Sequence, residues 1–426
     1  MSDPNIQTQL DSDGILLATV DMPERPMNVF SRSMMDSLEA LVERAGSDDA
    51  IKAVVITSGK SAFIAGADLA MIKTFTEVAR TGTTEELHEL FGHLGRLFRR
   101  MELSTKPFVA AINGLALGGG LEVCLGCHER VVADDPEIQL GLPEIKLGLL
   151  PGAGGTQRLP RLIGTAKGLE MLLSGNPVAP AEALELGLVN EVVPADQLVA
   201  AAKRRAKAIS KPQAAWDAAG ARFDSAPYNF ESETAFDDIA SALNINAHTR
   251  QYYPAYHAIM DCVVGGWNLP MTEASEREMS IFVELMRDPV AGNMVRTLFL
   301  NRQKAAKLGL LKKDSVFAQG DDALIPQARA AADKAKALKL SEEEQLLAVA
   351  LAALRVWAAG KVEQPELADV AVVSAGIAPA YSGGPFTYLK QFGLDKVTAD
   401  AASAAASDAQ LFAAPADLER FLKTAT

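Results

Sequence analysis

Three stretches of this 426-residue chain bring small residues and carboxylates together where a loop runs into a helix. The first is Phe63-Ile64-Ala65-Gly66-Ala67-Asp68-Leu69, in which the small residues let a ligand approach the backbone and Asp68 is suited to cap a helix starting near Leu69. The second, Asn113-Gly114-Leu115-Ala116-Leu117-Gly118-Gly119-Gly120-Leu121-Glu122, puts three glycines at a strand-to-helix transition. Free amides at such a helix start, together with the helix dipole, favour developing negative charge. The third runs from Leu140-Gly141-Leu142-Pro143-Glu144 into Pro151-Gly152-Ala153-Gly154-Gly155-Thr156-Gln157-Arg158. Taken singly, each has an ordinary structural explanation: glycines before a helix serve tight turns, and a Glu in a first helical turn serves the dipole.

The elements that must position these stretches alternate. Strand patterns at 14–21, 51–58, 108–113 and 129–133 are interleaved with helical spacing at 33–45 and 118–126, which predicts an α/β domain with buried sheet strands. From about residue 194 onward the chain reads as helices, at 197–209, 233–242, 275–286 and 288–308. Two more follow at 326–339 and 342–359, and the Ala-rich 399–414 is compositionally biased. Segments 1–195, 196–310 and 311–426 are expected as a core, a helical extension and a helical terminal domain.

Composition narrows the function classes. The net charge is −13 and hydrophobic residues make up 49%, ordinary for a globular protein and lacking the basic face that nucleic acid requires. The start, MSDPNIQTQLDSDG, lacks a basic, apolar leader, and no membrane-length apolar run occurs, so a cytoplasmic protein without a membrane span is expected. Cys124-Leu125-Gly126-Cys127-His128 spells the haem-attachment pattern C-x-x-C-H, but it follows a glycine run in an apolar helical stretch and reads as buried packing. His88, His93, His248 and His257 show no metal-ligand spacing. Neither haem nor metal is expected.

In this order the three stretches resemble the enoyl-CoA hydratase/isomerase (crotonase) superfamily. The long form runs from AINGLALGGGLE through GLPEIKLGLLPGAGGTQRLPRLIG. The resemblance is close over residues 10–195 and continues to about 308 in the manner of the hydratase half of multifunctional fatty-acid oxidation alpha subunits. It implies a crotonase-like α/β spiral of ββα units followed by all-α regions. It also implies an acyl-CoA thioester as substrate, with no permanently bound cofactor. Carried over residue by residue, the amides of Ala67 and Gly119 form an oxyanion hole, Glu144 donates a proton to Cα, and Glu122 holds and activates water. Gly152 and Asp68 fall on the water and substrate side, and Met27, Ala65 and Lys73 fall along the CoA groove. Both glutamates together are the hydratase pattern; a Δ3,Δ2-enoyl-CoA isomerase and a non-catalytic scaffold are the alternatives.

The multifunctional subunits also carry an NAD-dependent dehydrogenase, whose G-x-G-x-x-G fingerprint does not occur here. Gly152-Ala153-Gly154 is followed by Gln157, and Gly118 and Gly120 by Val123, where the third glycine is needed. No NAD is therefore expected. The segments 346–361, 368–370 and 376–393 (GIAPAYSGGPFTYLKQFG) resemble the final helical domain of that dehydrogenase. The resemblance implies a structural role there, with self-association or partner β-oxidation enzymes as candidate contacts.

Overall fold

The computed structural model describes residues 5–413 and 416–423, so the last residue of the biased 399–414 segment lies outside the described residues. The chain divides into two compact units, Met1–Asp288 and Pro289–Thr426.

The first unit is built on a six-stranded sheet of order β1-β2-β3-β4-β6-β8. Its strands are β1 (Ile6–Leu10), β2 (Ile15–Val20), β3 (Ala53–Ser58), β4 (Phe108–Ile112), β6 (Glu129–Ala133) and β8 (Glu191–Val193). β1 pairs antiparallel with β2, and every other neighbour is parallel. Parallel strands covered on both faces read as continuous apolar runs, and β3 and β4 are buried at every position. A small parallel pair, β5 (Ala116–Leu117) with β7 (Leu140–Gly141), carries the glycine-rich stretches away from the main sheet. The expected strands and helices of the core are all present. β1 is an addition: only Ile6 of its five residues is buried, so this edge strand lacks an alternating pattern.

The helices are α1 (Arg32–Ser47), α2 (Leu69–Val78), α3 (Thr84–Glu102), α4 (Gly119–Leu125), α5 (Gly155–Ile163), α6 (Thr165–Ser174), α7 (Pro180–Glu185) and α8 (Leu198–Ala208). They continue as α9 (Ala235–Ala242), α10 (Ala247–Tyr252), α11 (Pro254–Gly266) and α12 (Met271–Arg287). α3 starts with a capping box between Thr83 and Glu86, which satisfies two otherwise unpaired backbone donors. Residues 196–288 belong to this unit, which corrects the expected cut at 195: α8 packs on the sheet, and α11 and α12 pack on α5 and α3. Helical periodicity shows that a face is buried but not against which core.

The second unit is helical, with α13 (Pro289–Met294), α14 (Asn301–Lys307), α15 (Leu324–Ala337), α16 (Glu342–Ala358), α17 (Pro365–Ser374), α18 (Pro385–Ala404) and α19 (Leu418–Lys423). The expected continuous helix 288–308 is broken by a π-helical segment at Val295–Leu300, and the expected boundary at 310 lies inside the unit. Asp369 on α17 is buried and accepts from the Phe386 and Thr387 amides, capping α18 where Gly384 leaves no side chain to do so. No described helix is long and apolar enough to cross a membrane.

Candidate active site

The glycine run after β4 is required by close backbone approach. A Cβ on Gly120 would overlap the Ile64 carbonyl oxygen, so the 61–68 loop can lie directly against the start of α4. Gly118 has φ +55°, a conformation L side chains avoid, and a Cβ there would sit 2.7 Å from Glu144 Oε1. The loop is held by single bridges, Ile64 to Ala116 and Phe30 to Ala67. It is also tied to the 25–28 turn: Ala65 donates to the Asn28 carbonyl at 2.9 Å, and buried Asn28 donates to Val20 O, Ser58 Oγ and Phe63 O. Among the described residues neither the Ala67 N–H nor the Gly119 N–H has a protein acceptor. Gly119 is the first residue of α4, where amides are unpaired by construction and the dipole is positive.

The two expected glutamates meet at this point. Glu122 lies in the first turn of α4, and its Oε1 accepts from the Ala153 amide at 2.8 Å and the Gly155 amide at 2.9 Å. Burial pushes its carboxyl above the ordinary value, opposed by those two amides and by the Arg158 charge. Glu144 opens a single 3₁₀ turn, Glu144–Leu147, and its enclosed Oε2 has no hydrogen-bond partner. Burial, and next the charge of Glu122, push the Glu144 carboxyl well above its ordinary value. Two interacting carboxyls whose surroundings differ in this way are able to serve as an acid–base pair.

Other carried-over residues fall as follows. Asp68 caps α2, accepting from the Ala70 amide at 2.7 Å, and its other oxygen pairs with Arg25. Its two oxygens thus serve the helix start and the 25–28 turn. Gly152 sits under the Phe282 ring, where a Cβ would approach to 3.3 Å. Met27 is exposed in the 25–28 turn, and Lys73 is exposed on α2 with Glu77 at 3.7 Å. Cys124 and Cys127 are buried, the latter thiol pushed up to about 12, and the His128 ring accepts from the Phe108 amide at 3.0 Å.

The sequence reading missed a third carboxylate. Glu278 on α12, 1% exposed, accepts from the Gly154 amide at 2.7 Å and, through its other oxygen, from the Thr156 amide at 3.1 Å and the Thr156 hydroxyl. Burial and the Glu122 charge push it up to about 8. It also missed the support below the loop: fully buried Arg158 grips Glu102 at 2.6 and 3.0 Å and donates to the Ala153 carbonyl at 2.7 Å. Arg99 completes this chain, joining Glu102 to Asp217. The available signal was the buried stripe Ala274, Glu278, Phe282, in which an acid takes a core position.

Residues 11–241, more than half the chain, match the family described as enoyl-CoA hydratase/isomerase. The chain is 38% identical over 282 residues to the fatty acid oxidation complex subunit alpha of Shewanella baltica (strain OS155), covering 64% of this chain and 38% of that protein. It is 37% identical over 290 residues to the subunit of the same name from Shewanella frigidimarina, covering 67% and 39%. The match thus spans about two fifths of the relatives' length. Among solved structures, Pseudomonas aeruginosa DspI is 33% identical over 49% of this chain and 81% of its own, with a TM-score of 0.43. With a family match that covers strands β2 to β8, all three glycine-containing stretches and both glutamates, the chain belongs to the enoyl-CoA hydratase/isomerase family.

Proposed function

We propose that the chain acts in the cytoplasm as an enoyl-CoA hydratase, adding water to trans-2-enoyl-CoA in acyl-CoA degradation. The observation that carries this reading is the placement of buried Glu122 and of Glu144, with its enclosed Oε2, around the glycine turns: a Cβ on Gly118 would lie 2.7 Å from Glu144 Oε1, and one on Gly155 2.8 Å from Glu122 Oε1. The thioester oxygen would accept from the Ala67 and Gly119 amides, and the CoA moiety would run past Met27, Ala65 and Lys73. A water held between the two carboxylates, with the Gly152 amide as a third contact, would give a proton to Glu122 as its oxygen bonds to Cβ. The C=C electrons move to the thioester oxygen as an enolate, where two donors and the α4 dipole stabilise the charge. Removing one such donor typically costs about 10²–10³ in rate. Glu144 then protonates Cα, and the proton on Glu122 returns to Glu144 to restore the pair. Both new bonds form on the face the carboxylates occupy, so addition is syn.

Support for this direction of chemistry is geometric: Glu122 Oε1 accepts from the Ala153 and Gly155 amides, which suit a carboxylate base, whereas the enclosed Glu144 Oε2 meets no donor, which suits a protonated acid. Isomerisation of a 3-enoyl-CoA is a second reading, favoured by the Glu144 oxygen that lacks a partner and so could move a proton between C2 and C4. The likeness of 346–393 to a dehydrogenase terminal domain suggests a structural role for the second unit.

Crotonyl-CoA incubated with the protein should lose its conjugated-thioester absorbance and gain the mass of one water. Unchanged absorbance, with conversion of trans-3-hexenoyl-CoA to the conjugated isomer, would replace hydration with isomerisation. Inactivity on both, with intact folding, would leave the scaffold reading.

A further inference from the structure

The loop Gly152–Thr156 is gripped from two sides by successive amides. Ala153 and Gly155 donate to Glu122 on α4, whereas Gly154 and Thr156 donate to Glu278 on α12. Gly154, the N-cap of α5, has φ +96° and no capping side chain, so these two carboxylates satisfy amides that the helix start leaves unpaired. Phe282 covers Gly152, but beside the loop packing is incomplete: a cavity of about 150 Å³ is lined by Gly92 and Gly95 of α3 together with Gly152, Gly154 and Glu278. Hydrogen bonds to Glu278 therefore add a constraint on Gly154 and Thr156 that the contact of Phe282 with Gly152 does not supply.

We propose that Glu278 is a positioning residue: by holding the Gly154 and Thr156 amides it fixes the alternate amides that aim Glu122 at the reacting water. The inference rests on the proposed hydration chemistry for its kinetic readout. Its geometric content, that Glu278 sets the state of Glu122 through the loop, stands apart from which reaction is catalysed. Glu278 makes no contact with substrate in this scheme. Its elevated proton affinity suits the task, because a neutral acid still accepts amides without placing a second full charge beside Glu122.

Glu278→Met keeps the volume and removes both acceptors, whereas Glu278→Gln keeps an acceptor for the Gly154 amide and donates to the Thr156 hydroxyl, leaving only the Thr156 amide unmet. With crotonyl-CoA, Glu278→Met should lower kcat about 10²-fold, the scale of an ångström-level misplacement, with KM within about threefold. Glu278→Gln should recover kcat to within about fivefold of wild type. A folded Met variant with kcat within threefold of wild type, or a Gln variant as impaired as Met, overturns the proposal. If the Met variant does not fold, Glu278→Asp shortens the side chain by one methylene and draws both acceptors away from the Gly154 and Thr156 amides. It should lower kcat about three- to tenfold at constant KM, and an unchanged kcat overturns the proposal. Carboxyl ¹³C NMR of the free protein separates this inference from the proposed function. The Glu122 resonance should move in Glu278→Met and stay near its wild-type position in Glu278→Gln, even if crotonyl-CoA is not hydrated. An unmoved Glu122 resonance in the Met variant also overturns it.

Discussion

Replacing Glu144 by Gln tests the acid–base assignment with little disturbance to the fold. The side chains are nearly isosteric, so no cavity forms. The acid is already held well above its ordinary range by burial and the Glu122 charge, so its neutral form is the one the site favours. Its Oε2 accepts no hydrogen bond that an amide nitrogen would break. What Gln cannot do is deliver a proton to Cα. A positioned general acid contributes about 10²–10⁴ in rate, equivalent to about 3–5 kcal/mol of barrier at 1.36 kcal/mol per tenfold. Steady-state hydration of crotonyl-CoA should therefore show kcat down by about that factor. KM should stay within about threefold, because the Ala67 and Gly119 amides and the CoA groove are untouched. Thermal unfolding should be unchanged or slightly raised, since Gln needs no proton taken up to be neutral in the folded site. A kcat within about fivefold of wild type in a folded variant would refute the role given to Glu144.

Three further outcomes follow from the same geometry. Gly118→Ala adds a Cβ at positive φ and 2.7 Å from Glu144 Oε1; kcat should fall at least tenfold with about 1–2 kcal/mol of stability, and an unchanged kcat would show that the carboxylate can move freely. Glu102→Gln strips the buried Arg158 of its counter-ion and should cost about 3–5 kcal/mol by calorimetry, whereas a loss below about 1 kcal/mol would mean that the guanidinium finds water or another partner. The folded chain holds a proton on Glu278 up to about pH 8 against an ordinary 4.5, so the stability this group contributes is whole below pH 4.5 and is lost as pH rises through 8. Unfolding measured from pH 5 to 8.5 should therefore fall off more steeply in wild type than in Glu278→Gln, and parallel profiles would contradict the assignment.

Much of the core was legible because its requirements are local. β2 and β3 announce themselves by alternation or continuous apolar runs, and the glycines of 114–120 by the backbone contacts they permit. Asp68 was readable as a cap from its place before α2, and that is where its carboxylate is spent. The missed elements depend on partners far along the chain. α12 meets α3 and α5 from more than a hundred residues away, and the run 275–286 reports a buried face without naming what buries it. Val295–Leu300 keeps a helical pattern while adopting π geometry, a difference of one residue per turn to which apolar spacing is insensitive.

Glu278 was missed for a subtler reason, and the sequence did hold a clue to it. A loop such as Pro151-Gly152-Ala153-Gly154-Gly155-Thr156 has no capping side chain before α5, yet its amides are buried and must be paired. Successive amides there point to opposite sides, so a single carboxylate cannot collect them all. Glu122 accounts for the Ala153 and Gly155 amides, and those of Gly154 and Thr156 demand a second acceptor on the far side. Counting donors in this way shows that one is needed before its identity is known. A glutamate in the apolar stripe of a helix is then the residue to test, because burying a carboxyl in a core stripe is costly unless donors meet it there.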